Sequence, residues 1–293
     1  MRILPLPARD LVRQQLASAL QMYQRNGQQH GYPASEAEID AVIALYDAYD
    51  AARGSPSDSL KGLGLDAALR KTIQDGYELT QVGRRLASIR AGLMQGVERC
   101  PICGIGAPRT LDHHLPKASY HPLAIYIRNL IPLCVECNQF KSVADSADPT
   151  ERFIHPYFET LPEERFLRAE VTVQNGGLVV EFSLNPAVKM PVLLAARLAY
   201  QLSRMRLNAR YAREINTTVS SHTTALHMCF GALGANGVRE YLKRQASVEF
   251  NQFHVNYWRP VLLLALAEHD EFCAGAFQHV LPPIPALVSP GSA

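Results

Sequence analysis

Two cysteine pairs, Cys100-Pro-Ile-Cys103 and Cys134-Val-Glu-Cys137, separated by thirty residues, constrain this chain more than any other feature. Two residues between the cysteines of a pair let a tight turn aim both sulfurs inward, and two such pairs complete the tetrahedral shell of one Zn²⁺. Four thiolates leave no coordination position for water, so this zinc is expected to be structural rather than catalytic. The other two of the six cysteines, Cys229 and Cys273, stand alone in apolar surroundings and read as small buried hydrophobes, not as halves of a disulfide framework. Paired thiols of this kind belong to a reducing compartment, and a cytoplasmic location is expected.

Composition narrows the remainder. A chain of 293 residues with 47% hydrophobic and 19% charged residues can bury one large core or two moderate ones. The 29 Lys plus Arg against 27 Asp plus Glu leave a net charge of only +2, so contact with nucleic acid would have to come from local basic clusters. Met1 to Pro7 has no apolar stretch of signal-peptide length and is interrupted by Pro5 and Pro7. The run Val261 to Ala267 falls far short of the roughly 18 residues needed to span a bilayer. Neither export nor a membrane partner is expected.

Periodicity predicts an α+β chain, mainly helical, without internal repeats. Ile39, Val42, Ile43, Tyr46 and Tyr49 recur at helical spacing, and Ser35 with Glu38 has the form of a capping box opening that helix. Leu79, Val82, Leu86, Ile89 and Leu93 make a second stripe, and Arg53 to Gly64 reads as a loop. From Cys100 to Lys141 the pattern changes to short segments punctuated by Pro, Gly and Cys, as in a small domain held by metal rather than by a core. Val171 and Val173, then Asn175-Gly176-Gly177, then Leu178, Val180, Phe182 and Leu184 predict a β-hairpin. Leu194, Leu198, Leu202, Met205, Ala209 and Ala212 predict one helix, with Arg206, Arg210 and Arg213 on one solvated shoulder and Arg197 and Arg204 on the other. The expected divisions are a helical region over 1–97, a metal module over 98–145, a hairpin with helices over 146–280, and a loose tail over 281–293.

Chemistry concentrates between the cysteine pairs, in Leu111-Asp112-His113-His114-Leu115-Pro116-Lys117, Arg128-Asn129-Leu130 and Cys137-Asn138-Gln139-Phe140-Lys141. Polar groups of these kinds are poor core material unless each finds a partner. A hard cation such as Mg²⁺ prefers oxygen ligands and keeps most of its waters, so Asp112 and Asn138 are a plausible protein share of its shell. His113 titrates near neutrality when unperturbed and suits the general base. Lys117, Arg128 and Lys141 are candidates to grip phosphates. For His114 a packing or hydrogen-bonding role behind the site is expected, and isolated His121 and His155 read as surface or internally satisfied histidines.

The cysteine pairs, Asp112-His113 with Pro116, Asn129-Leu130, and Cys137-Asn138 with Lys141 together resemble an HNH endonuclease module with a ββα-metal core and flanking zinc knuckles. The resemblance implies that Asp112 and His113 lie on the first strand as metal ligand and general base. It also implies that Asn129 braces the loop orienting the histidine and that Asn138 enters from the helix as the second ligand. Asn in place of the family's final His makes the site harder and better suited to Mg²⁺ or Mn²⁺. Implied, too, is hydrolysis of double-stranded DNA, with RNA left open, to a 5′-phosphate and a 3′-hydroxyl. A wider stretch, including His155-Pro-Tyr-Phe158 and the helical C-terminal region, is similar to HNH components of Septu-type and retron-associated antiphage systems, which act with an ATPase partner. The competing expectation is a non-catalytic zinc module that binds nucleic acid or protein; it needs the cysteines but not Asp112, His113 and Asn138 together.

Overall fold

The computed structural model describes residues 1–142, 146–174, 176–281 and 283, which form two units, Met1–Leu161 and Pro162–Ala293. Both mix helices with small antiparallel two-stranded sheets, so the chain is α+β as its periodicity predicts.

The first unit opens with helix α1 (Val12–Leu20), a short hairpin β1 (Tyr23–Arg25) and β2 (Gln28–His30), and helix α2 (Glu36–Ala51). The capping box forms: Ser35 Oγ accepts the Glu38 amide at 3.3 Å, and the Glu38 carboxylate accepts the Ser35 amide at 2.9 Å. Two of the otherwise orphaned donors at the helix start are thereby satisfied. α2 then buries Ile39, Val42, Tyr46 and Tyr49. The loop after it contains a 3₁₀ turn at Asp58–Lys61, and helices α3 (Ala67–Gly76) and α4 (Ala87–Met94) follow.

The stripe from Leu79 to Leu93 is not one helix. A 3₁₀ turn covers Tyr77–Thr80, Gly83 takes a left-handed φ of +77°, and only Ala87–Met94 is α-helical. The Leu86 amide donates to Leu79 O at 2.9 Å, so a loop brings these two leucines together while Val82 points outward at 85% exposure. Apolar spacing alone does not distinguish a helical face from a loop closing on the same core.

Strands β3 (Thr110–His113) and β4 (Leu130–Leu133) pair antiparallel, with Thr110 opposite Leu133 and His113 opposite Leu130. Helix α5 (Val135–Lys141) follows directly. Their apolar residues do not form a core of their own. Leu111, Leu115, Tyr120, Leu123, Ile125, Tyr126 and Leu130 share one cluster with Val12, Leu16, Val42, Tyr46, Leu69, Ile73 and Ile89. The boundaries expected at 97/98 and 145/146 therefore do not coincide with the observed division, because the cysteine-bounded segment is packed into the helices before it.

The second unit begins with the hairpin β5 (Leu167–Gln174) and β6 (Gly177–Leu184), in register with Val171 opposite Val180. Gly176 supplies the positive φ of the tight turn, at +72°, and Asn175 lies outside the described residues. The expected single helix from Leu194 to Ala212 is two, α6 (Val192–Arg204) and α7 (Leu207–Ser220), broken at Arg206, whose φ is +49°. That break rephases α7: its buried face is Leu207, Tyr211, Ile215 and Val219, while Ala209 and Ala212 are exposed. It also carries Arg210 inside at 2% exposure, against the expected solvated shoulder, whereas Arg204, Arg206 and Arg213 remain exposed. Helix α8 (Thr223–Gln252), interrupted at Gly234, packs along α9 (Trp258–Glu268), and a π turn leads into α10 (Phe277–Val280). Cys273 is buried as expected and Cys229 is half-buried. Of the expected tail only Leu281 and Pro283 are described. No helix among the described residues is long and apolar enough to cross a membrane.

The divided stripe gives a direct test by urea unfolding. Ile89→Ala should cost about 2–4 kcal/mol through the cavity it leaves. Val82→Ala, in the same stripe of the sequence, should stay within about 0.5 kcal/mol.

Candidate metal and catalytic site

Cys100 and Cys103 lie in the turn before β3, and Cys134 and Cys137 lie at the start of α5. Their four sulfurs fall within 4.8 Å of one another and all four residues are buried. Regular tetrahedral coordination at about 2.3 Å implies sulfur separations of about 3.8 Å, and Cys103 Sγ stands 3.7 Å from Cys134 Sγ. Backbone amides support the sulfurs: Ile105 N donates to Cys103 Sγ at 3.3 Å and Cys137 N to Cys134 Sγ at 3.4 Å. Burial pushes the Cys100 thiol well up, so neutralisation by a dication is what would make its thiolate tenable. Donor type, spacing and amide support all fit Zn²⁺, and Cys134, as the N-cap of α5, ties the zinc position to that helix.

β3 brings Asp112 and His113 to the same end of the ladder in different states. The Asp112 carboxylate is largely buried, with Lys141 Nζ 2.9 Å from its Oδ2 in an ion pair that is not an aligned hydrogen bond. Burial pushes this carboxyl up, against the pull of Lys141. His113 is 7% exposed, and its Nε2 lies 2.8 Å from Ala124 O. A carbonyl only accepts, so Nε2 carries the proton and Nδ1 is left with the lone pair. Burial pushes the imidazole down to about 3, which keeps it neutral at neutral pH. The ring also packs against Tyr77 at 4.5 Å between centroids, and Tyr77 Oη donates to Leu111 O at 2.5 Å.

Asn129 is fully buried and spans the loop between the strands. Its Oδ1 accepts the Leu115 amide at 2.8 Å, while Nδ2 donates to Leu115 O at 3.1 Å and to Leu123 O at 3.2 Å. One side chain thus clips both ends of a segment that starts two residues after His113 and ends beside Ala124. Asn138 lies on α5, half-buried, three residues before Lys141; residues at that spacing are neighbours on one helix face. Lys141 reaches β3 through both Asp112 and His113 O, the latter at 2.6 Å.

The three expected phosphate contacts are placed differently from one another. Lys141 is buried and holds β3. Arg128 is mostly buried, donating from Nη1 to Asp50 Oδ2 at 2.5 Å and from Nε to Pro7 O at 2.9 Å. Only Lys117 of the three is open, 36% exposed, 4.4 Å above the Tyr77 ring and 3.7 Å from Glu78. His121 is half-buried and bonds to Ala118 O. His155 is internal and satisfied, its ring 4.0 Å from that of His114 at a tilt of 42° and its Nε2 2.9 Å from Tyr49 Oη. Tyr49 escaped the sequence reading because its hydroxyl partners lie 80 and 106 residues away, and its helical stripe marks only core.

Over 198 residues the chain is 28% identical to Protein ea31 of Escherichia phage lambda, covering 62% of this chain and 66% of that protein. The chain therefore spans just under two thirds of that relative's length. No family model and no solved structure matches.

Purified protein should carry one zinc per chain by elemental analysis. Because the surrounding segment shares a large core, Cys134→Ser should remain partly folded but lose the ion. Each kcal/mol of metal-linked stability lost should lower the thermal midpoint by roughly 2–4 °C. Zinc-free wild type with an unchanged midpoint would remove the structural-zinc reading.

Proposed function

We propose that this protein is a metal-dependent HNH-type endonuclease that hydrolyses phosphodiester bonds, with double-stranded DNA as the favoured substrate and RNA as the competing one. The observation that supports this most is the docking of α5 on β3: Lys141 ties the helix bearing Asn138 to the strand bearing Asp112 and His113. A general base needs a ring lone pair, and the Ala124 contact leaves that of His113 on Nδ1. A cation ligand needs a carboxylate at the strand, and Asp112 supplies one, its Oδ2 held 2.9 Å from Lys141 Nζ in an ion pair.

In this reading Asp112 and Asn138 would hold a Mg²⁺ or Mn²⁺ ion, whose charge stabilises the phosphate oxygens as the bond breaks. His113 removes the proton from the attacking water at Nδ1. Asn129 holds the loop that fixes the ring, and Lys117 contacts a phosphate beside the scissile one. Lys141 pulls the Asp112 carboxyl down against the effect of burial and keeps β3 seated on α5, and Arg128 fastens its loop to α2 through Asp50. These two are positioning residues instead of the phosphate contacts their sequence context suggests.

A plasmid-nicking assay with Mg²⁺ and Mn²⁺, run beside linear DNA and RNA, tests the proposal. His113→Ala should lower the rate by about 10²–10⁴-fold, with zinc content and DNA affinity unchanged and no rescue at any metal concentration. Asp112→Ala and Asn138→Ala should be inactive but partly restored by raised Mn²⁺, and His114→Ala should keep much of its activity. Wild type that cleaves none of the substrates would leave the zinc-stabilised binding module as the reading.

A partner ATPase of the antiphage type belongs to the same proposal, and the second unit is its proposed docking region. There Leu193, Met228, Leu233 and Val248 are exposed apolar side chains, in keeping with contact to another chain. Co-expression with the neighbouring open reading frame should give one co-eluting complex on size exclusion. Separate elution with unchanged nuclease activity would count against the partner.

A further inference from the structure

Three buried side chains far apart in the sequence form one hydrogen-bonded chain behind His113. His155, at 2% exposure, receives the Tyr157 amide on Nδ1 at 3.2 Å, so Nδ1 holds the lone pair and Nε2 holds the proton. Nε2–H therefore donates to Tyr49 Oη at 2.9 Å. The Tyr49 hydroxyl, fully buried, donates in turn to Asn129 Oδ1 at 3.1 Å. Asn129 then grips Leu115 and Leu123, and the next residue, Ala124, accepts the His113 ring proton. Every donor in this series meets an acceptor, so the tautomer of His155 and the orientation of the Asn129 amide are both determined.

Local structure makes room for the chain. Gly54 follows α2 with φ +75°, and a Cβ there would lie 2.3 Å from His155 Cδ2 and 3.2 Å from Tyr49 Oη. Any other residue would push the imidazole off the tyrosine. On its other side His155 lies against His114, the neighbour of His113.

We infer that the buried series His155–Tyr49–Asn129 is a positioning device that sets the His113 imidazole through the segment from Leu115 to Ala124. Its structural consequence is a fixed, protected Nε2–H on His113. Its catalytic consequence rests on His113 being the general base proposed above. Tyr49 is the decisive member, because one hydroxyl both accepts from His155 and donates to Asn129, and phenylalanine keeps its shape without either bond.

Nitrogen-15 NMR of the histidine rings in the full-length, zinc-loaded chain reads the structural consequence without any substrate, with His113 assigned by the signal lost in His113→Gln. Wild type should show the Nε2–H tautomer with a slowly exchanging proton. In Tyr49→Phe that proton should exchange at least tenfold faster, with zinc content retained. His155→Ala should behave like Tyr49→Phe, whereas His155→Gln, which keeps an N–H able to reach Tyr49, should return exchange toward wild type. If Tyr49→Phe fails to fold, the His155→Ala and His155→Gln pair carries the comparison.

With DNA, Tyr49→Phe should lower kcat by roughly tenfold or more, since small misplacements of a reacting group are costly, while KM stays unchanged. Unchanged His113 ring exchange in folded Tyr49→Phe and His155→Ala would overturn the inference, as would faster exchange with undiminished kcat. Faster exchange in a chain whose wild type cleaves nothing would support the positioning device and reject the nuclease reading instead.

Discussion

Between His113 and Leu130 the chain must leave β3, cross the interior and return to pair with the same strand, with one 3₁₀ turn at His121–Leu123 and isolated turn hydrogen bonds in place of a ladder. A buried peptide N–H or carbonyl left without a partner costs about 1–3 kcal/mol, so such a crossing needs an internal substitute for a ladder. The Asn129 amide supplies it, as one acceptor and two donor hydrogens matched to Leu115 and Leu123. The His114 amide bonded to Asn129 O at 2.7 Å extends the β3–β4 ladder by one step and fixes where the crossing begins. Asp112 and His113 owe their positions to that closure, since either strand alone is too short to hold a register.

Charge is organised around the same closure. α5 is only seven residues long, too short to be stable by itself, and it is held at both ends. At its start Cys134 joins the zinc-ligand cluster; at its end Lys141 pairs with Asp112 and caps the His113 carbonyl. Buried lysine and buried aspartate each carry a desolvation cost that the other offsets, so removing either leaves an uncompensated charge. The cysteine cluster and the Asp112–His113 strand are thus coupled mechanically through one short helix.

The hydrophobic core explains why this region is not an independent bead on the chain. Tyr46 stacks on Tyr126 at 4.2 Å between centroids, and Tyr49 meets Tyr126 edge-on at 5.7 Å, so α2 forms part of the wall behind the loop that Asn129 clips. Arg128 to Asp50 adds a mostly buried ion pair at the same wall. A helix whose sequence reads as ordinary core is consequently also the source of the hydroxyl that reaches Asn129.

Sequence by itself determined the features that depend on local spacing. The cysteine pairs, the capping box at Ser35 and Glu38, the hairpin around Gly176, and the neighbouring Asp112 and His113 each rest on residues within a few positions of one another, where turn and strand geometry leave few alternatives. The 79–93 stripe and the 194–212 stripe misled for a related reason: periodicity reports which residues turn inward, not whether the backbone between them stays helical through Gly83 or Arg206. Only the tertiary structure decided that Lys141 and Arg128 face inward, that Arg210 is buried, and that His155 meets Tyr49 across 106 residues. Those outcomes are set by which buried charge or polar atom finds a partner after the chain has closed, a matching made between distant segments that local spacing does not encode.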